Sequence, residues 1–275
     1  MGNLSNYLNN KKDSKFYFMR HAETIYNTIS DKSAKYNPIY ADCHLSTKGI
    51  EQSRNKQEYF NKLNIEAIYC SPYFRAIETI INCLETHPNK ENIIIYIHPK
   101  LAELAGMMQE FIIDINETKQ IFNMESMIKV NWDIFDEYVN KLKYRENLFF
   151  MDNWDLIEEN KREEIYKKLI DIYDKKDMEI YKKEVANIIK DRYKTKLKFE
   201  SYRHTYQRFL DFKNYIYEKH KDTMNDLDKK IIAISHKLFI SIATSEPESI
   251  LNGKGKVSSN CLSLNNCELA YINNI

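Results

Sequence analysis

Glycine and proline are scarce in this chain, five of each, and neither occurs between Met107 and Glu246. That stretch lacks the usual turn formers, and its two ends are the clearest boundaries the sequence offers. Cysteine is present as five residues, an odd number with no C-x-x-C pair, which argues against a disulfide framework and for a reduced, cytoplasmic protein. No apolar run approaches the roughly 20 residues that span a bilayer, so no membrane span is expected. No apolar signal segment precedes Lys11 and Lys12. A Met1-Gly2 start resembles an acylation signal, but the required hydroxyl position holds Asn6, with Ser5 before it, which argues against acylation of Gly2. Net charge is nearly absent, with 41 basic against 40 acidic residues, and nothing in that balance points to nucleic acid or an anionic membrane. Neither H-E-x-x-H nor clustered Cys and His appears, so no metal and no cofactor are expected.

What is present is a chain of 275 residues, long enough for one large α/β domain with its own sizeable core. Short apolar runs, Phe16–Met19, Ala67–Cys70, Ile93–Ile97, Ile231–Ile234 and Glu268–Ile272, alternate with helical patterns. The expected fold is an α/β three-layer sandwich, a mostly parallel sheet flanked by helices. Residues 107–199 read as a large all-helical insertion within a single domain spanning 1–275, with apolar spacing such as Ile165, Leu169 and Ile172. Its mixed-sign charges describe a solvated face, and Trp132, Phe135, Tyr138 and Trp154 fall at core-like spacings. A last long helix is expected over 201–221.

Four of the apolar runs end in chemistry. Arg20 and His21 follow the first, Ser71 to Arg75 the second, Glu103 the third and His236 the fourth, all at the carboxyl edge where open α/β sheets place ligands. Two guanidinium forks can hold phosphate oxygens bidentately, and a second imidazole adds a donor. A neutral histidine beside them can attack phosphorus, while a carboxylic acid protonates the departing oxygen.

The ordered motifs Arg20-His21-x-Glu23, Leu45-Ser46-x-x-Gly49 with Gln52, Ser71-Pro72-x-x-Arg75-Ala76-x-x-Thr79, Leu101-x-Glu103 and Ser235-His236 resemble the histidine phosphatase superfamily, also called phosphoglycerate mutase-like. Asn266-Cys267-Glu268 is similar to that family's closing strand. The resemblance covers about 15–106 and 200–272. It implies His21 as the phosphorylated nucleophile, Arg20, Arg75 and His236 as the phosphate pocket, and Glu103 as proton donor. It also implies weaker substrate contacts from Asn27 and Thr24.

Gly106 stands where mutases of the family carry tyrosine, and five extra residues separate His21 from Leu45, which places the chain nearer the phosphatases. Lys237 replaces a frequent glycine and is a further substrate-binding candidate for a second anionic group. The expected function is a metal-independent phosphatase acting on phosphate monoesters, small molecules or phosphopeptides, through a phosphohistidine on His21. The alternatives are a phosphoglycerate mutase and a non-catalytic binding protein on the same fold. Glu110 and Asp114 lie close enough in sequence to rival Glu103 as the acid. Because 107–199 begins directly after Glu103, it is expected to roof the crevice as a lid and to choose the leaving group. Oligomeric state is left open.

Overall fold

The computed structural model describes residues 15–31, 36–112, 114–125, 128–144, 146–195, 198–251 and 256–272. Gly2 and the question of its acylation lie outside them. Six strands form one sheet: β1 (Phe16–Arg20), β2 (Asn64–Cys70), β3 (Ile94–Ile97), β4 (Lys129–Asn131), β5 (Lys229–Ser235) and β6 (Leu269–Ile272), in the order β4-β3-β2-β5-β1-β6. All neighbours are parallel except β6, which runs antiparallel along β1. Ten helices surround it among the described residues: α1 (Thr47–Arg54), α2 (Gln57–Phe60), α3 (Phe74–Leu84), α4 (Ile115–Glu125), α5 (Asp133–Val139), α6 (Glu159–Asp174), α7 (Met178–Lys194), α8 (Tyr202–His220), α9 (Lys237–Ala243) and α10 (Pro247–Leu251).

The four central strands carry apolar runs, Phe16–Met19 in β1, Ala67–Cys70 in β2, Ile94–Ile97 in β3 and Ile231–Ile234 in β5, because both faces are covered there. Tyr17, Met19, Ile68, Ile95 and Ile232 pack with α3 on one face; Phe16, Phe18, Tyr69, Ile231 and Ala233 pack with α8 and α9 on the other. Alternate side chains therefore feed two cores, the period-2 pattern of a strand buried on both sides. The topology inserts β5 between β1 and β2, so the carboxyl ends of three parallel strands lie side by side.

Segment 107–199 differs from the all-helical expectation. Its strand β4 pairs in parallel with β3 at the sheet edge, Val130 opposite Ile95, and Ile112, Phe122, Trp132 and Phe135 join the sheet core. The physical reason is burial: Val130 and its neighbours complete an apolar surface that β3 would otherwise expose. The remainder, with α6 and α7, closes a separate cluster around Trp154, Tyr181, Val185 and Phe199. Among the described residues no helix is long and apolar enough to cross a membrane.

Candidate active site

Register brings the site together. Arg20 pairs with Ser235 across β1 and β5, so His21 and His236, the next residues on each strand, emerge adjacent, with ring centroids 5.1 Å apart. Backbone contacts fix His21 on several sides: its N–H donates to Ser235 O at 3.0 Å, and its carbonyl accepts from Cys267 N at 3.2 Å and Asn266 Nδ2 at 3.3 Å. The following residue is tied to α3, Ala22 N donating to Thr79 Oγ1 at 2.9 Å.

Side-chain chemistry follows from one contact. His21 Nδ1 lies 2.7 Å from Ala22 O, and a carbonyl can only accept, so Nδ1 carries the proton and Nε2 keeps its lone pair. Burial, then the nearby Arg75 and Arg20 cations, hold the imidazole well below its ordinary pKa and thus neutral. His236 is lowered for the same leading reason, with Arg75 next; its Nε2 meets Ser71 Oγ at 2.7 Å.

Arg20 and Arg75 both line a cavity of about 1100 Å³ above this edge, with His21, Asn27, Glu103 and Lys237. Arg20 Nη1 donates to Leu264 O at 3.2 Å, and the buried Arg75 donates from Nη1 to Gln109 O at 2.6 Å. Arg20 Nε, Arg75 Nε and His236 Nδ1 are buried without a hydrogen-bond partner among the described residues. Unmet buried donors cost stability, which makes their concentration at one sheet edge informative.

Glu103 stands at the start of α9. Its Oε1 accepts from Leu104 N and Phe239 N, both at 2.9 Å, and Oε2 from Leu238 N at 3.2 Å. Burial raises its pKa, against the lowering effect of these amides and Arg75. Glu110 also lines the cavity and is pushed up to about 8, by burial first and by the charge of Glu103 second. Of the two rivals to Glu103, Glu110 therefore reaches the site, whereas Asp114 is absent from the cavity wall.

Thr24 is fully buried and outside the cavity lining; its Oγ1 accepts from Asn27 N at 3.2 Å, and Asn27 Oδ1 returns the bond from Thr24 N at 3.0 Å. The pair is a capping box that shapes the loop after His21.

The Leu45-Ser46-x-x-Gly49 motif explains itself in the same region. Ser46 caps α1 through Gly49 N at 3.0 Å and also donates to Glu23 Oε1 at 2.9 Å, while Gly49 runs beneath the Glu23 backbone. A Cβ on Gly49 would stand 2.0 Å from Glu23 O. Gly49→Ala is accordingly expected to cost about 1–3 kcal/mol, read as a lower urea midpoint; an unchanged midpoint would show that this approach is not tight.

Residues that motif reading missed hold the Glu103 loop from behind. Arg208 is buried and donates to Glu200 Oε1 at 2.8 Å and to Ala102 O at 2.9 Å, and Glu200 Oε2 accepts from Ala105 N at 3.1 Å. Segment 107–199 supplies Met107, Gln109, Glu110, Tyr193, Lys194 and Lys198 to the cavity wall. Among the described residues no group of three or more His, Cys, Asp or Glu side chains is placed to hold a metal ion.

Residues 16–121 match the family model of the histidine phosphatase superfamily (branch 1). No curated protein matches the chain. Solved structures similar to it include a phosphoglycerate mutase from Bacillus anthracis, 20% identical, covering 90% of this chain and 86% of that one at a TM-score of 0.42. A mycobacterial glucosyl-3-phosphoglycerate phosphatase is 13% identical over 93% of this chain and 89% of its own, TM-score 0.47. An ecdysone phosphate phosphatase from Bombix mori, in complex with tungstate, is 13% identical over 92% and 86%, TM-score 0.45.

Proposed function

We propose that this chain, matched over residues 16–121 by the histidine phosphatase superfamily, is a phosphohydrolase that cleaves phosphate monoesters through a phosphohistidine on His21. The family match supports phosphoryl transfer of the phosphatase or mutase kind. The observation that carries the finer reading is the neutral His21, its Nε2 lone pair available, packed against His236 and sharing a cavity wall with Arg20 and Arg75.

In the first step the substrate phosphoryl group sits between the two guanidinium groups and His236. A tautomer of His236 with Nδ1–H, its Nε2 accepting from Ser71, supplies a donor; with Arg20 Nε and Arg75 Nε it meets the phosphoryl oxygens. The Nε2 lone pair of His21 attacks phosphorus in line, the P–O bond to the leaving group breaks, and Glu103 gives that oxygen a proton. In the second step water attacks phosphorus, Glu103 takes the water's proton, the P–N bond breaks and inorganic phosphate leaves with His21 neutral again. Asn27 and Lys237, both on the cavity wall, contact the substrate; Thr24 acts through Asn27 by holding its loop. The charge of the phosphoryl group is met by side chains alone, so turnover is expected to survive a chelator.

Glu103 and Glu110 line one cavity, and the charge of Glu103 helps burial raise Glu110. Glu110 keeps its proton up to about pH 8, so kcat is expected to fall as its charge develops beside Glu103 above that value. Glu110→Gln takes this titration away and is expected to abolish the limb near pH 8; an unmoved limb would detach Glu110 from catalysis. Stability gives an independent readout. Between the ordinary 4.5 and about 8 the folded protein keeps a proton on Glu110 that the unfolded chain has released, so this group makes stability fall as pH rises across that window. Glu110→Gln should flatten the decline in Tm from pH 5 to pH 8 relative to the parent.

Segment 107–199 acts as a substrate-selecting wall, because residues near both its ends line the cavity, Met107, Gln109 and Glu110 at one and Tyr193, Lys194 and Lys198 at the other. A test of the function as a whole is phosphate release from chelator-treated protein across p-nitrophenyl phosphate, phosphosugars, phosphoglycerates and phosphopeptides. Interconversion of phosphoglycerates faster than phosphate release would favour the mutase instead.

A further inference from the structure

Beyond the phosphoryl pocket, the cavity carries charge that hydrolysis does not use. Lys194 closes α7, Lys198 follows it, and Lys237 opens α9; all three are exposed and all three line the cavity. Five cationic side chains, counting Arg20 and Arg75, thus face two lining carboxyls, Glu103 and Glu110, in a chain whose formal net charge is only +1. Lys198 Nζ lies 4.2 Å from the Tyr202 ring centroid, and among the described residues Lys194 pairs with one acid, Asp191, at 3.8 Å. No ion pair of Lys198 or Lys237 with an acid occurs among the described residues.

The wall these lysines share with the phosphoryl pocket is largely carbon, from Leu104, Met107, Phe199 and Leu238 among others. A cavity of about 1100 Å³ is far larger than a phosphoryl group needs and stands just above the range of about 300–1,000 Å³ common for small-molecule sites. Like charges lining one cavity are costly unless anionic ligands meet them, and they concentrate such ligands from solution.

We infer that the leaving group is a small molecule with an apolar or aromatic body and a second anionic group, carboxylate or phosphate, which Lys194, Lys198 and Lys237 hold while Arg20 and Arg75 hold the scissile phosphoryl. This rests on the phosphohydrolase reading for its first anion and on the lysine cluster for its second. Two anions held at two ends of an apolar slot fix the orientation of the ester, so the second contact raises kcat/KM chiefly through binding.

The test compares 4-carboxyphenyl phosphate and 1,4-phenylene bisphosphate with their neutral counterpart, 4-carbamoylphenyl phosphate. The intact protein is expected to favour the doubly anionic esters by about tenfold or more in kcat/KM, the worth of one charge-assisted contact. In Lys194→Gln/Lys198→Gln that ratio should fall towards one, with the change in KM, and in the intact protein it should shrink as salt rises. Preference for only one ester of the two identifies carboxylate or phosphate as the second group. Calorimetric binding of the same esters to His21→Ala reads the preference without turnover. A binding preference lost in the lysine variant, with no His21-dependent hydrolysis, would uphold the second-anion site and sink the phosphohydrolase. His21-dependent hydrolysis with equal kcat/KM for charged and neutral esters, or a ratio untouched by the lysine changes, would overturn the inference and leave the phosphohydrolase standing.

Discussion

Replacing His21 by alanine is expected to lower phosphate release by roughly 10³-fold or more while the protein stays folded. The size follows from the role: without Nε2 there is no covalent intermediate, and one hard displacement by water must replace two easier ones. Arg20, Arg75 and His236 would still bind the phosphoryl group, so KM should change far less than kcat. The fold should tolerate the change, because among the described residues the His21 side chain makes one hydrogen bond, to its neighbour's carbonyl, and its backbone anchors at Ser235, Asn266 and Cys267 remain. Thermal unfolding of the variant, run beside the kinetics, separates loss of chemistry from loss of structure. A folded His21→Ala protein with near-normal turnover would remove the nucleophile from the account.

Glu103→Gln carries the second-largest expected effect, and its size depends on the substrate. An alkyl phosphate releases a strongly basic alkoxide that needs a proton as the bond breaks, so kcat should drop by about 10²–10⁴-fold. p-Nitrophenolate leaves without that help, and the same variant should lose much less on its ester. Glutamine is the suitable replacement because Glu103 also accepts N–H bonds from Leu104, Leu238 and Phe239. An amide oxygen can keep part of that cap, whereas alanine would confound the proton with the position of α9. A uniform loss across both esters would mark Glu103 as a positioning group and shift the proton to Glu110.

These residues were legible in the sequence for a physical reason. Parallel strands buried on both faces must be continuous apolar runs, so β1, β2, β3 and β5 declared themselves, and whatever follows such a run must emerge at the ligand-binding edge. Arg20, His21, Arg75, Glu103 and His236 are those followers or lie within a turn of them. Strand β4 was not legible, since Lys129–Asn131 is three residues long with only Val130 apolar, and pairing with β3 rather than local pattern makes it a strand. The absence of glycine and proline hid it further, making 107–199 read as one helical block.

The Glu200–Arg208 pair was missed because charges on an amphipathic helix normally face solvent. A signal existed: Arg208 sits on the same stripe of α8 as Thr205, Phe212 and Ile216, and a cation on an apolar stripe needs a buried partner. Glu110 was marked in the sequence only by its nearness to Glu103, a signal it shared with Asp114. Only the return of the chain over the sheet edge places a second carboxyl beside Glu103, and its proton becomes visible through burial rather than through motif.

The measurement closest to the central claim is rapid quenching into alkali during steady turnover of an isotopically labelled phosphate ester, followed by mapping of the labelled peptide. The account expects an acid-labile, alkali-stable phosphoryl group on His21, absent from His21→Ala and accumulating further in Glu103→Gln with a good leaving group, where formation outruns hydrolysis. Label on another residue, or label found only as free phosphate while the protein turns over, would contradict it.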